Sequence, residues 1–513
     1  MTRLHAPAGA DVTTTIPTKL MYIDGGWTEA SSGECRQVIN PARHGEVLAR
    51  VPEANAEDVD RAVRAAGAAF QRWRSYHFSV RARALARIAD AIEARAEDLA
   101  RVTAADTGNA LRTQARPEVA FLANLFRYFA GIAGEVKGTT LPAGDSQLQY
   151  TRLEPLGVVG AILPWNSPLM IAGFKIPAAL AAGNTMVVKA AEDAPLSILM
   201  LAEICAQHLP DGVLNVLTGS GETAGAALVA HPDVAKVSFT GSTEVGRGVA
   251  RVAADRLAHA SLELGGKNPS IVFPDAVDDD LIEGLLSSSR FTRQGQSCTA
   301  GSRLFLHADI HDDVVERLVQ RLGQLIVGDP QDERTDMGAV INQTQFDAIQ
   351  RYLDDGCSTA GMSVALGGQP PREGPLSSGF FHVPTVFTGA RNEFRLAREE
   401  IFGPVLVVIP WREVDDVVRM ANDSHYGLAA YVWGRDLDRV LSTAHRLEAG
   451  WVQVNQGGGQ MVGQSYGGYK QSGLGREVSL EGMLAGFTQT KQINVSLPSM
   501  QSNSRASVDS RWR

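Results

Sequence analysis

The chain has 513 residues, a formal net charge of −9 at pH 7 and a hydrophobic content of 44%. This length predicts two or three domains, because a single core rarely grows so large. The composition is that of an ordinary globular protein, and the mildly acidic balance argues against a nucleic-acid partner.

The cysteines are scattered and show no metal-ligand spacing, so neither a disulfide framework nor a metal site is expected. This pattern fits a reducing cytoplasm. Residues 1–20 lack the apolar stretch of a signal peptide, and the longest apolar run, residues 169–183, is too short to span a bilayer. No membrane association is therefore expected. The cysteines are Cys35, Cys205, Cys298 and Cys357.

The first part of the chain is predicted to be mostly helical. Residues 1–20 are expected to form a poorly ordered tail, and residues 21–27 a strand entering a hairpin turn at Asp24-Gly25. Apolar spacings of three and four then predict three helices. Their inward residues are Val59, Val63, Ala66, Phe70 and Trp73, then Leu85, Ile88, Ile92 and Leu99, then Phe121, Leu125, Tyr128 and Phe129. The second helix is expected to turn its arginines to water; they are Arg81, Arg83, Arg87 and Arg95.

Between residues 157 and 264, short apolar strands alternate with helices. This alternation predicts an α/β fold with a parallel, doubly wound sheet. Ligands of such sheets bind beyond the carboxyl ends of the strands. The predicted strands are 157–163, 185–189, 212–217, 234–239 and 260–264, and the helices are 169–182, 196–207, 223–230 and 244–254.

A second α/β region is predicted after residue 278. Residues 361–380, rich in Gly, Pro and Ser, are expected to form a loop, and residues 469–477 to open the last helical stretch. Residues 498–513 read as a disordered polar tail. The strands of this region are predicted at 404–409, 429–433 and 451–455, and its helices at 312–325 and 343–355.

Polar groups follow the predicted strands of the first sheet. Asn166 lies between two prolines and offers two amide N–H donors, although a rigid structural turn would look the same. Lys189 and Glu192 are either a surface pair or ligands of ribose hydroxyls. A carboxylate at the ribose 2′-hydroxyl favours NAD over NADP.

Glycine-rich turns follow the third, fourth and fifth strands. Residues 219–225 do not form the dinucleotide fingerprint and are weak evidence alone. The Gly-Ser-Thr step at 241–243 opens a helix and suits a phosphate. Glu263, at an apolar strand end, is a capped acid or a general base with a raised pKa. Cys298, among small polar residues, is a buried structural thiol or a nucleophile.

Six motifs in this order resemble those of the aldehyde dehydrogenase superfamily, and the resemblance runs from about residue 22 to about residue 495. They are Pro-Trp-Asn-Ser-Pro (164–168), Phe-Thr-Gly-Ser-Thr-Glu-Val-Gly (239–246), Leu-Glu-Leu-Gly-Gly-Lys-Asn-Pro (262–269), Gly-Gln-Ser-Cys (295–298), Glu-Ile-Phe-Gly-Pro (400–404) and Gly-Gly-Tyr-Lys-Gln-Ser-Gly-Leu-Gly-Arg-Glu (467–477).

The resemblance implies a covalent mechanism with NAD as cofactor and no catalytic metal. Cys298 would attack the aldehyde to give a thiohemiacetal, and Asn166 with the Cys298 backbone N–H would hold the oxyanion. Hydride transfer would leave a thioester, which Glu263 would hydrolyse through an activated water.

The resemblance also implies two sets of binding residues. Those expected to hold the cofactor are Ile162, Pro164, Trp165, Lys189, Glu192, Gly221, Gly225, Phe239, Gly241, Ser242, Leu264, Gly265, Glu400 and Phe402. Those expected at the substrate are Ser167, Phe174, Ser297, Thr299 and Tyr466.

The superfamily has a Rossmann-like cofactor domain, an α/β catalytic domain and a small β oligomerisation arm, which implies a homodimer or homotetramer. Residues 147–153 alternate like a strand, and residues 491–497 are expected to pair with them across subunits. The implied parts are 21–139 with 159–267 for the NAD-binding domain, 268–477 for the catalytic domain, and 140–158 with 478–497 for the arm.

Two departures concern the substrate. Ser167 and the glycine-rich loop 456–464 stand where related enzymes often carry aromatic residues, whereas Phe174 and Tyr466 remain. A wider, more polar mouth with a flexible glycine rim is therefore expected, which suits a bulky or oxygenated aldehyde. No arginine clearly marks a carboxylate-bearing substrate, and Arg293 is the nearest candidate.

Three alternatives stay open. One is an NADP-preferring semialdehyde dehydrogenase. Another is an acylating enzyme that passes the acyl group to CoA, against which Glu263 argues because such enzymes generally lack that base. The third is a non-catalytic protein that keeps the fold for binding or structure.

Overall fold

The computed structural model describes residues 3–4 and 16–497. The predicted tail 498–513 and most of the predicted tail 1–20 lie outside the described residues. Arg3–Leu4 pairs in parallel with Ile326–Val327. The backbone N–H of Lys19 donates to the Arg50 carbonyl at 2.8 Å, so the end of the predicted N-terminal tail is docked on the protein.

The helices lie largely where the apolar periodicity places them. They are α1 (Ala56–Ser75), α2 (Phe78–Ala94), α3 (Ala96–Thr107), α4 (Arg116–Ile132), α5 (Pro168–Ala182), α6 (Leu196–Ala206), α7 (Ala226–Ala230), α8 (Thr243–Asp255), α9 (Asp279–Ser288), α10 (His311–Leu322), α11 (Gln343–Ser358), α12 (Arg395–Arg398), α13 (Val414–Asn422), α14 (Leu437–Arg446) and α15 (Leu480–Phe487).

The strands form two large sheets and three small ones. They are β1 (Arg3–Leu4), β2 (Met21–Ile23), β3 (Gly26–Thr28), β4 (Cys35–Ile39), β5 (Val47–Pro52), β6 (Thr140–Leu141), β7 (Gln147–Pro155), β8 (Val158–Ile162), β9 (Thr185–Lys189), β10 (Leu214–Leu217), β11 (Val234–Thr240), β12 (His259–Glu263), β13 (Pro269–Val272), β14 (Arg303–His307), β15 (Ile326–Val327), β16 (Ser363–Leu366), β17 (Thr385–Thr388), β18 (Val405–Trp411), β19 (Ala429–Trp433), β20 (Trp451–Val454), β21 (Gly473–Leu474) and β22 (Thr488–Ser496).

The first large sheet has the order β21-β12-β11-β8-β9-β10-β2-β3. Its five central strands, β8 to β12, are parallel as predicted, and antiparallel strands extend both edges. The register places Ile162 beside Lys189 and Phe239, and Thr240 beside Glu263. The carboxyl ends of these strands, with their polar residues, therefore share one edge.

The second large sheet has the order β16-β17-β18-β14-β13-β19-β20 and is parallel except for β16. The predicted strands at 404–409, 429–433 and 451–455 are confirmed in it. The prediction of an unbroken loop at 361–380 is wrong, because Ser363–Leu366 pairs with β17 at the sheet edge. An edge strand pairs on one side only, so a short segment can form one even when its apolar and polar residues alternate weakly.

Two details of the predicted second helix are wrong. Arg81 is 7% exposed, and its Nε donates to the Ala181 carbonyl at 3.1 Å, at the C-terminal end of α5. A guanidinium satisfies the last carbonyls of a helix well, which offsets the cost of burying it. Leu99 belongs to α3, because the chain leaves helical geometry at Arg95 (φ −116°, ψ 23°).

The three-stranded sheet has the order β22-β7-β6. The prediction that residues 491–497 pair with 147–153 across subunits is wrong, since β22 pairs antiparallel with β7 of its own chain from Thr488 to Ser496. Within the predicted arm range 478–497, α15 packs on α5.

Residues 469–477 do not open a helix. They form a short 3₁₀ turn, Lys470–Ser472, and then β21, which adds to the edge of β12. Gly473 has φ +155°, and an added Cβ would lie 2.2 Å from the Leu262 carbonyl oxygen. The glycine therefore lets this segment approach β12. None of the helices within residues 16–497 is long and apolar enough to cross a bilayer.

Candidate active site

Cys298 lies on the loop between α9 and β14. Gly295 in this loop has φ +65°, and an added Cβ would lie 1.9 Å from the Gly403 carbonyl oxygen. Only glycine fits so close an approach. The loop is thus seated against the segment that carries Glu400 and Phe402.

A buried asparagine, which the sequence reasoning missed, fixes the cysteine loop. The side-chain amide of Asn268 donates to the carbonyls of Cys298 (2.8 Å) and Ala300 (2.9 Å), and its oxygen accepts from the Ala429 N–H at 2.9 Å. A Cβ on the neighbouring Gly266 would lie 2.4 Å from the Cys298 carbonyl oxygen. The only sequence signal was the position of Asn268 in the motif that contains Glu263.

The Cys298 side chain is half-buried at the cavity. Its pKa is raised to about 11: burial raises it most, the hydrogen bond from Tyr466 and the Arg290 charge lower it, and the charges of Glu400 and Glu263 raise it. Ser297 and Thr299 on either side bond to each other through their hydroxyl oxygens, 3.1 Å apart. Formation of the thiolate therefore depends on the groups around the sulfur.

Asn166 is held so that its side chain faces the same cavity as Cys298. Its backbone carbonyl accepts from the Asn109 amide at 2.9 Å, and its own amide Nδ2 donates to the Gln296 carbonyl at 2.9 Å. An amide nitrogen carries two hydrogens, so one remains for a ligand in the cavity.

Glu263 ends β12 and is 3% exposed. Neither of its carboxylate oxygens has a hydrogen-bond partner among the described residues. Burial raises its pKa well above the usual range, and the nearby Glu477 raises it further. Glu477 in turn accepts from the buried Lys175 ammonium at 2.7 Å. An unpaired buried carboxyl of raised pKa has the properties of a general base.

One cavity of about 790 Å³ joins these groups. It lies beyond the carboxyl ends of the parallel strands, as expected for this fold. The predicted residues that line it are Cys298, Glu263, Asn166, Pro164, Trp165, Gly241, Ser242, Leu264, Gly265, Glu400, Phe402, Ser167, Ser297, Thr299 and Tyr466.

The remaining predicted residues do not line this cavity. A Cβ on Gly225 would lie 3.8 Å from side-chain atoms of both Ile162 and Lys189, so these three form one cluster at the same sheet edge. Gly221 begins the turn that Gly225 ends. Phe174 packs behind Tyr466, with ring centroids 5.6 Å apart.

The last two predicted residues outside the cavity also lie at this edge. Phe239 lies under Gly241, where a Cβ would meet its ring at 2.6 Å. Lys189 donates to Glu192 at 2.8 Å. Burial alone would raise the pKa of Glu192, but the Lys189 ammonium outweighs it and the pKa is lowered. Glu192 is therefore a carboxylate at neutral pH.

The end of the cavity near Ser242 and Glu400, the expected cofactor end, carries groups of the kinds that bind a phosphate and a ribose. Ser242 caps the N-terminus of α8, where backbone N–H groups suit a phosphate. Glu400 accepts from the Gly266 N–H at 2.9 Å, and burial raises its pKa to about 7. Trp165 and Phe402 meet edge to face, with ring centroids 5.4 Å apart. Within the described residues there is no cluster of His, Cys, Asp and Glu that could hold a metal ion.

Ser167 lies in the cavity lining beside apolar residues such as Met170 and Ile171. It is 1% exposed, and its buried hydroxyl has no hydrogen-bond partner among the described residues. The predicted candidate for a substrate carboxylate, Arg293, is engaged elsewhere: its Nη1 lies 3.5 Å from Glu118 and its Nε donates to Gln114 at 2.8 Å.

The glycine rim, expected to be flexible, is anchored at two carbonyls. Gly457 O accepts from the Ser287 hydroxyl at 2.9 Å, and Gly458 O accepts from Arg290 at 2.7 Å and Gln453 at 3.1 Å. Arg290 thus fixes the backbone of the rim. The adjoining residues Gly459 and Gln460 line the cavity.

A half-buried cysteine, an amide donor and a buried carboxyl that line one cavity of an α/β fold define an enzyme rather than a structural protein. Comparison with known proteins agrees. The sequence profile of the aldehyde dehydrogenase family matches residues 27–493. A hydroxyisobutyraldehyde dehydrogenase of Mycolicibacterium austroafricanum is 44% identical over 491 residues, which are 96% of each chain.

Solved structures match equally broadly. An NAD⁺ complex of an aldehyde dehydrogenase from Bacillus cereus has a TM-score of 0.90 at 38% identity, covering 94% of this chain and 97% of that one. An NAD-dependent aldehyde dehydrogenase from Sinorhizobium meliloti has a TM-score of 0.92 at 37% identity, covering 96% and 98%. This chain belongs to the aldehyde dehydrogenase family and is an oxidoreductase that acts on aldehydes.

Proposed function

We propose that this enzyme oxidises a polar aldehyde to the carboxylic acid with NAD, through a covalent intermediate on Cys298. The observation that carries the proposal is the convergence of Cys298, Asn166, Glu263 and Glu400 on one cavity. These side chains come from distant parts of the chain, and together they supply a nucleophile, an amide donor, a base and a ribose ligand.

In the proposed first step, Cys298 attacks the carbonyl carbon as a thiolate. The free amide hydrogen of Asn166 and the Cys298 backbone N–H hold the oxyanion of the thiohemiacetal. A donor of this kind typically contributes on the order of 3 kcal/mol to the transition state. Bound NAD supplies the hydride acceptor.

Loss of a hydride from the thiohemiacetal leaves a thioester on Cys298. In the second step, Glu263 deprotonates the water that attacks this thioester. Its unpaired oxygens can each accept a hydrogen bond from that water. The low polarity that raises its pKa also makes it a stronger base than an exposed carboxylate. Leu264 and Gly265 continue the backbone from Glu263 toward Glu400, the proposed ribose ligand. A Cβ added at Gly265 would lie 2.2 Å from the Glu400 Oε2 atom.

We propose NAD rather than NADP because Glu192 is ionised beside Lys189 at the edge that would receive the adenine ribose. Two like charges about 4 Å apart repel by up to about 4 kcal/mol near a protein surface. Glu192→Gln is therefore expected to raise the ratio of NADP to NAD kcat/KM by roughly tenfold or more.

That ratio is measured with one aldehyde and both cofactors. Glu203→Gln, an exposed acid on α6, is the matched control and should leave the ratio unchanged. A wild-type enzyme that already prefers NADP would overturn the NAD assignment and favour the semialdehyde alternative.

We propose a hydroxylated or otherwise oxygenated aldehyde as substrate. Support comes from Ser167, a residue of the cavity lining whose buried hydroxyl has no hydrogen-bond partner among the described residues, and from the name of the M. austroafricanum relative. Ser167→Ala should reduce the preference for a hydroxy-aldehyde over its deoxy analogue by about tenfold, since one hydrogen bond is worth about 1 kcal/mol or somewhat more.

The measurement is NADH formation across a panel of paired hydroxy- and deoxy-aldehydes. Ser289→Ala, a buried serine that does not line the cavity, controls for loss of packing. A wild type that oxidises short alkyl aldehydes better than every oxygenated partner would contradict the proposed substrate class.

We further propose the domain division 21–139 with 159–267 for cofactor binding, 268–477 for catalysis, and 140–158 with 478–497 as the arm of a homodimer or homotetramer. The β22-β7-β6 sheet supports this arm, because β22 is an edge strand and the sheet carries exposed apolar side chains. They are Leu141, Leu148 and Val495. An open edge of this kind is a template for pairing with a second copy.

A further inference from the structure

The hydroxyl of Tyr466 lies 3.6 Å from the Cys298 sulfur. Tyr466 belongs to a different part of the chain, 168 residues away from Cys298. No other hydrogen-bond partner of this hydroxyl is found among the described residues. Phenylalanine would fill the same ring volume without the oxygen, so packing alone does not account for a tyrosine here.

The ring of Tyr466 is held rigidly. It is 2% exposed, and it packs between Phe174 (centroids 5.6 Å apart) and Trp451 (6.0 Å). Its backbone exchanges two hydrogen bonds with Glu477, at 3.1 and 2.7 Å. A hydroxyl fixed on such a ring is preorganised toward the sulfur and loses little entropy when it donates.

We propose that the Tyr466 hydroxyl is a catalytic hydrogen-bond donor that stabilises the thiolate form of Cys298. This role goes beyond substrate binding, and it rests on the proposed function only in taking Cys298 as the nucleophile. A donor is stronger toward an anion than toward a neutral thiol, so the contact favours the reactive form.

Among the groups around the sulfur, Tyr466 contributes most to stabilising the Cys298 thiolate. Burial and the charges of Glu400 and Glu263 raise the pKa of Cys298, whereas the Tyr466 hydrogen bond and, to a smaller extent, the Arg290 charge lower it. Burial also raises the pKa of Tyr466 well above 10, so it keeps its proton and donates. The titratable and charged groups facing the sulfur are Tyr466, Tyr431, Glu263, Glu400, Arg290 and Arg293.

The cationic groups do not replace this donor. Arg290 is engaged with the rim carbonyls of Gly457 and Gly458, and Arg293 lies 3.5 Å from Glu118. Tyr431 donates to the Thr299 carbonyl at 2.7 Å. Among these groups, the Tyr466 hydroxyl is the one placed on the sulfur itself.

The test is the pH dependence of Cys298 alkylation by iodoacetamide in the cofactor-free full-length protein. The Cys298 peptide is followed by mass spectrometry, because Cys35 and Cys357 are also exposed. Tyr466→Phe should move the midpoint of the profile upward by about one pH unit, equivalent to about tenfold less thiolate at neutral pH. The matched control is Tyr128→Phe, which removes a hydroxyl from a ring beside Gly463 and should leave the midpoint unchanged.

Tyr466→Leu, which also lacks the hydroxyl, must shift the midpoint in the same direction, and both variants are titrated at a temperature where circular dichroism shows them folded. A midpoint equal to that of the wild type in either folded variant overturns the proposal. The readout needs neither aldehyde nor NAD. A failure of the proposed aldehyde oxidation would therefore appear in turnover and not in this titration.

Discussion

Cys298→Ala is expected to lower kcat for aldehyde oxidation by about 10⁴-fold or more, a loss typical of removing a covalent nucleophile. No other thiol can substitute. Cys35 and Cys357 are exposed and Cys205 is buried, with its pKa raised by burial beyond any useful range. The alanine side chain is smaller than that of Cys298 and fits in its place, so the fold and NAD binding should be unchanged.

The measurement is NADH formation with saturating aldehyde, together with NAD binding by fluorescence titration. Cys357→Ala, which removes an exposed thiol from the end of α11, is the matched control and should behave as wild type. Retained turnover in Cys298→Ala would contradict the covalent mechanism. A wild type with no turnover on any aldehyde would favour the non-catalytic alternative.

The first sheet was predictable because its signals are local. Each of its five parallel strands is an apolar run flanked by turn residues, and the first four are each followed by a helix. The strand-end residues were predictable for the same reason: once the strands are parallel, Lys189 and Glu263 must reach a common edge. The register bears this out, with Ile162 beside Lys189 and Thr240 beside Glu263.

What could not be predicted depends on contacts between distant residues. Lys175 and Glu477 are 302 positions apart, yet their ion pair lies buried near Glu263 and shapes its charge environment. The role of Asn268 could not be predicted, because nothing in the spacing of its motif shows that its amide donates to the Cys298 carbonyl. Arg81 was placed in water because arginine is usually exposed, whereas its Nε donates to the Ala181 carbonyl at the end of α5 and its Nη1 to the Tyr76 carbonyl after α1.

The arm shows a third kind of limit. Alternation in residues 147–153 and 491–497 identifies two strands, but it carries no information on whether they belong to the same subunit. The antiparallel pairing of β7 with β22 within one chain settles the partner of β7. The edge strands of this sheet are β22 and β6, and the β22 edge carries the proposed contact with a second copy.

Glu263→Gln is expected to separate the two chemical steps. In the proposed mechanism, formation of the thioester needs Cys298 and Asn166, whereas its hydrolysis needs a base. The variant should therefore release about one equivalent of NADH per active site and then turn over about 10²- to 10⁴-fold more slowly than wild type, the usual contribution of a positioned base. Rapid-mixing absorbance measurements resolve the burst from the steady rate.

Three comparisons make this result decisive. Glu481→Gln, an exposed acid on α15, should show wild-type steady turnover. A steady rate equal to wild type in Glu263→Gln would remove Glu263 from the hydrolytic step. If CoA speeds NADH formation by the wild type and an acyl-CoA product accumulates, the acylating alternative is favoured.

The pH dependence gives an independent check, and its sign follows from the surroundings of Glu263. Burial and the Glu477 charge favour the protonated acid, which raises the Glu263 pKa. The base form therefore grows as pH rises through that raised value, and wild-type kcat should rise with it. Glu477→Gln removes the repelling charge and leaves Lys175 to attract the carboxylate, so the rise should begin at lower pH. If kcat of Glu477→Gln rises over the same pH range as kcat of the wild type, a group other than Glu263 controls hydrolysis.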